Sequence, residues 1–158
     1  MSKPNDIDLK QRYLAVNFIG LVMMGAVFFY AALVGVFTWW LPEMARPRVE
    51  PQTGGVIKSV FAILALATFF GIKLLQKLIS ARSVQLLPQA AILTFALSEA
   101  VALLGLVLFF LTGRALDFFL FMFLSLFYFY FFFPKYQDWE ARLADSSPAA
   151  QRKKAPKA

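Results

Sequence analysis

Cysteine and histidine are both absent from this sequence. Their absence excludes disulfides, thiolate zinc sites, iron–sulfur clusters and imidazole-ligated haem, because the ligand atoms do not exist. It also excludes nucleophilic catalysis by a Cys–His or Ser–His pair. Charge is scarce too: 16% of the residues are charged, against about 25% in an ordinary soluble domain. Four long stretches carry almost no charge at all. What remains is apolar, at 60% of the residues, with 19 phenylalanines. A folded chain of 158 residues still leaves much of its surface in contact with solvent, so this much apolar surface calls for lipid rather than water.

The charge-free stretches set the expected organisation. Tyr13 to Leu41 is the first, well beyond the ~20 residues that cross the hydrocarbon and far longer than the ~7–15 residues of a signal-peptide core. Trp39 and Trp40 at its end fit an interfacial anchor. Pro42, Pro47, Pro51, Gly54 and Gly55 follow, and read as an extended loop. The second span runs from Val56, with Lys73 and Lys77 on one helix face and able to snorkel to the headgroups. It is the shortest in charge-free length. The third run, Val84 to Thr112, holds Pro88 in its first turn and a single acid, Glu99. The fourth, Phe118 to Pro134, is dense in phenylalanine all round, a pattern that suits bulky lipid-facing packing.

The fold class expected is therefore an all-α membrane protein with four transmembrane helices. The segments are 1–12 as N-terminus, 13–41, 56–78, 88–112 and 118–134 as spans, 42–55 as the first loop, 79–87 as the second, and 113–117 as a turn. Residues 135–158 form a basic tail, expected to be disordered from Asp145 onward. Twelve of the 16 Lys and Arg residues fall on the N-terminus, the loop between spans two and three, and the tail. The opposite side has Arg46, Arg48, Lys58 and Arg114. The positive-inside rule places both termini in the cytoplasm, with the plasma membrane of a bacterium (its inner membrane) as the location. The net charge of +7 follows from the same retention signal, and nucleic acid is not expected as a partner.

Glu99 stands 15 residues after Val84 and 13 before Thr112, near the middle of its span. A carboxylate there costs ~2.5–3.5 kcal/mol on insertion scales and marks a functional candidate. It either carries a proton or ion, or is a protonated acid that locks two helices together. On an ideal helix Ala91, Thr94, Ser98, Ala102 and Gly105 form a small-residue face suited to close helix packing. Leu93, Leu97, Val101, Leu104 and Leu108 form a bulky face, expected to meet lipid. Glu99 lies beside the small face and points into a helix contact. Thr68, with Ala65, Ala67 and Gly71 around it, is a candidate hydrogen-bond partner, though threonines in membrane helices commonly bond their own backbone. Thr68 and Ser98 join Glu99 as proton- or ion-binding candidates.

The stretch ALSEAVALLGLVLFFL, Ala96 to Leu111, resembles the acid-bearing outer helix of the c subunit (proteolipid) of rotary ATP synthases. The resemblance extends to residues 57–112 as a helical hairpin, with Ala81-Arg82 in the place of that family's cytoplasmic loop. It implies that Glu99 takes up and releases a proton. The glutamine and extra hydroxyls of sodium-binding members are missing, so sodium is not implied. The rest of the chain reads as a four-span bacterial membrane protein.

The functional expectation is a non-catalytic structural or accessory subunit of a membrane complex. The alternative is a c-subunit-like module linked to proton translocation through Glu99. The partners expected are the bilayer and either other membrane subunits or further copies of this chain. No catalytic residues, metal or cofactor are expected.

Overall fold

In lipid, every backbone N–H and C=O must find a partner within the chain, and a helix achieves this within one segment. The computed structural model, which describes residues 4–43, 45–80, 86–137 and 139–141, contains four long α-helices and no strand among those residues. They are α1 (Pro4–Trp39), α2 (Pro51–Ser80), α3 (Leu87–Thr112) and α4 (Ala115–Phe132). All four are long and apolar enough to cross a membrane, which is the architecture of a multi-pass membrane protein. The connection through Arg82 and the basic tail from residue 142 lie outside the described residues.

Local chemistry explains the helix ends. Pro4 and Pro51 open α1 and α2, where a missing N–H does no harm, and Pro88 sits in the first turn of α3. Helix α2 starts at Pro51, ahead of the expected Val56, because the Gly54 N–H already donates to Glu50 O at 2.9 Å. Gly54 and Gly55, expected in an extended loop, therefore belong to its opening turns. Those extra residues lengthen the span that had the shortest charge-free run. Helix α3 ends on Gly113 in the left-handed region (φ 69°), whose N–H returns to Phe109 O at 2.7 Å. A side chain at Gly113 would collide with the Ala45 carbonyl, so only glycine fits both the conformation and the space. Helix α4 begins directly afterwards at Ala115, earlier than expected. Asp117 lies in its first turn, where the helix dipole favours an acid.

The α1–α2 loop and the α3–α4 turn lie together at one end, joined by the Arg48 N–H bonding Leu111 O at 2.9 Å. At the other end, Tyr13 of α1 meets the chain beyond α4. Its hydroxyl donates to Pro134 O at 3.3 Å, and its ring packs edge-on against Tyr136 and Trp139.

Helix α3 is the centre of the bundle. Its small face meets α4 so closely that a Cβ on Gly105 would sit 2.5 Å from Phe121 Cβ. On one flank Phe95, Ala102 and Phe109 share a core with Val16, Val27 and Val34 of α1 and Phe118 and Phe129 of α4. On the other flank Val101 and Leu108 are fully buried with Ala65 and Ile72 of α2. This corrects the expectation that the bulky face of α3 meets lipid: helix α2 covers most of it. The surface that α3 leaves open runs through Ile92, Leu93, Leu103 and Val107 instead. The phenylalanines of α4 are likewise divided. Phe118, Phe121, Phe129 and Phe132 are buried, while Phe123, Phe127 and Phe131 face outward with Tyr130.

Candidate functional site

Glu99 is half-buried at the seam between α3 and α1. Its Oε1 accepts a hydrogen bond from the Tyr30 hydroxyl at 2.6 Å. The small face of α3 turns toward α4, which leaves the next position round the helix, Glu99, opposite α1. A phenol suits this place, because its ring packs in the apolar seam while its O–H reaches the acid. An O–H donor to a carboxyl oxygen at this distance is among the stronger hydrogen bonds.

The other expected participants do not join Glu99. Thr68 donates to Leu64 O on its own helix at 2.9 Å. Of the two readings of Thr68, the bond to its own backbone is the one formed, and the α1 tyrosine takes the place beside Glu99, because α2 packs on the opposite flank of α3. Ser98 donates to Thr94 O at 2.9 Å, and Thr94 to Ala90 O at 2.8 Å, both within α3. The backbone of Ser98 does serve a neighbour: Ser125 of α4 donates to Ser98 O at 2.6 Å. Tyr128 of α4 donates to Ala65 O of α2 at 2.9 Å. Ala91, Thr94, Ser98, Ala102 and Gly105 are all buried.

Tyr30 and Ser125 were missed as participants in the sequence reading. For Tyr30 the signal is depth. Counted from the shared end of the bundle, Tyr30 lies nine residues before Trp39 and Glu99 thirteen before Thr112, a stagger of about one helical turn.

A second polar site lies at that shared end. Lys58 Nζ of α2 contacts Asp117 Oδ1 of α4 at 2.6 Å, and Arg114 Nε stands 3.9 Å from Asp117 Oδ2. Asp117 is only 2% exposed, Lys58 40% and Arg114 69%. These three residues line a cavity of about 360 Å³, together with Pro47, Val49, Glu50, the first turns of α2 and Thr112. The sequence signal was two opposite charges near the same ends of two apolar helices. Among the described residues, no three acidic side chains come together as a metal site would require.

Compared with known proteins, the chain matches no family model, no curated sequence and no solved structure.

Proposed function

We propose that this chain is a non-catalytic structural subunit of a membrane complex, held in a bacterial inner membrane with both termini in the cytoplasm. The observation that carries this reading is how its intramembrane polar groups are used. Tyr30 to Glu99, Ser125 to Ser98 and Tyr128 to Ala65 are three interhelical hydrogen bonds that tie α1 to α3, α4 to α3 and α4 to α2. Polar groups spent on such ties specify helix arrangement, and each contributes roughly 0.6 kcal/mol and up to ~1.7 kcal/mol in a membrane. The orientation rests on the lopsided distribution of Lys and Arg.

Size-exclusion chromatography with light scattering, on the full chain extracted in mild detergent, tests the reading. The expected particle is larger than one copy of the chain. Glu99→Gln keeps it, because the amide oxygen still accepts from Tyr30. Gly105→Leu disrupts it by forcing α3 from α4. A monomeric particle in every mild detergent, with no cross-linked product in native membranes, would refute the proposal.

One observation favours a second reading, a proton-linked module of the c-subunit kind. Glu99 is only partly buried and hydrogen-bonded to a hydroxyl, so its carboxyl is not sealed within the bundle. Labelling by a hydrophobic carbodiimide, strong at neutral pH and fading at alkaline pH, is the outcome this reading requires. Absence of labelling at any pH excludes it.

A further inference from the structure

The charged cavity at the loop end is independent of the Glu99 seam, and it has the features of a ligand site. We propose that it binds a phosphate group, that of a phospholipid headgroup, with Arg114 and Lys58 as the cationic ligands.

Size comes first. About 360 Å³ lies within the range of small-molecule pockets, ~300–1,000 Å³, and is ample for a phosphodiester headgroup. The donors come next. An ammonium has three N–H bonds, and the contact to Asp117 uses one from Lys58. Arg114 reaches Asp117 only through Nε at 3.9 Å, beyond hydrogen-bond range, so its planar fork is open to a bidentate oxyanion. Asp117 also lines the cavity, but its carboxylate is 2% exposed and paired with Lys58, so it fixes the ammonium at the wall and leaves Arg114 as the open cation there.

The backbone adds to the same sign. The first ladder bonds of α2 and α4 are Gly54 N–H to Glu50 O and Asp117 N–H to Arg114 O. Pro51, the first residue of α2, and Arg114, the N-cap of α4, both line the cavity, so the positive ends of two helix dipoles flank it. Glu50 at the rim is the counter-charge. It disfavours a bare dianion and suits a phosphodiester that carries an ammonium, as an ethanolamine headgroup does. Depth points the same way, since Trp39 and Trp40, 80% and 82% exposed, lie at this end of the bundle where indoles mark the headgroup layer.

Gly55 supplies a clean variant. It lines the cavity, and a Cβ there meets nothing within 4 Å, so a larger side chain enters open space without strain. The experiment titrates the full chain, purified in a non-ionic sugar detergent, with phosphatidylethanolamine or inorganic phosphate, read by native mass spectrometry. One lipid is expected to bind saturably. Arg114→Gln weakens it at least tenfold, Gly55→Leu removes it, and the helical circular-dichroism signal and melting point of both variants stay unchanged. Inorganic phosphate that displaces the lipid at comparable concentration would overturn the headgroup as the source and assign the site to free phosphate. Lipid binding indifferent to both substitutions would overturn the site altogether.

Discussion

Tyr30 and Glu99 form a pair in which each member answers a cost created by the other. A phenol O–H in hydrocarbon needs an acceptor, and a half-buried carboxyl needs a donor. Tyr30→Phe keeps the ring and deletes only the donor, so it is expected to destabilise the bundle by about 0.6–1.7 kcal/mol in detergent melting experiments. Glu99→Gln retains an acceptor and removes the acid, and is expected to leave the melting point nearly unchanged. The Tyr30→Phe loss should shrink when the acceptor is also removed by Glu99→Leu, the signature of a direct pair in a double-mutant cycle. The Lys58–Asp117 pair calls for asymmetry. Removing the lysine, as Lys58→Met, strands a 2% exposed carboxylate, and a loss of about 1–3 kcal/mol is expected. Asp117→Asn leaves an acceptor in place and a lysine that can reach water, so its cost should be below ~1 kcal/mol. At this scale the sequence was half legible. Glu99 stood out because an acid in an apolar run is rare. Tyr30 did not, because a tyrosine is at home in such a run and only the packing of two distant segments reveals its partner.

Glycines show how far one helix can be read without its neighbours. The small face of α3 was visible from spacing alone, and Gly105 lies on it. A Cβ there would come within 2.5 Å of Phe121 Cβ and 3.2 Å of the Phe118 carbonyl, so α4 has to shift. Gly105→Ala is therefore expected to cost about 1–3 kcal/mol through overpacking. Gly20 of α1 behaves similarly, its Cβ falling 2.6 Å from the buried ring of Phe95. Gly25, on the same helix, has open space around it, and Gly25→Ala should be neutral or stabilising by up to ~1 kcal/mol through helix propensity. Melting curves of the Gly105→Ala and Gly25→Ala variants separate close packing from mere glycine content: equal effects at the two positions would contradict the helix arrangement. Periodicity told which residues of α3 share a face, but not that three helices surround it. That is why Val101 and Leu108 read as lipid-facing when α2 buries them.

At the scale of the whole molecule, four apolar stretches separated by charge were legible because a bilayer imposes a minimum length on each span. The helix starts at Pro51 and Ala115 were less so, since proline and a first-turn acid read as loop until the backbone shows them as openings of helices. Which way the bundle faces depends on the distribution of Lys and Arg, and the absence of cysteine makes that question direct. Gln52 is exposed at the loop end and Gln89 at the opposite end, near the start of α3. Gln52→Cys and Gln89→Cys each give the chain a single thiol with no background. In right-side-out vesicles a membrane-impermeant maleimide should label the Gln52→Cys variant and spare Gln89→Cys until the membrane is opened. Inverted vesicles should exchange the pattern. The proposed orientation rests on the twelve basic residues of the segments assigned to the cytoplasm, four of them clustered at Arg152, Lys153, Lys154 and Lys157. Deleting that cluster leaves eight against four, so orientation is expected to survive the truncation. Labelling of both variants from one side would be incompatible with an odd number of crossings between them, and so with α2 as a membrane span.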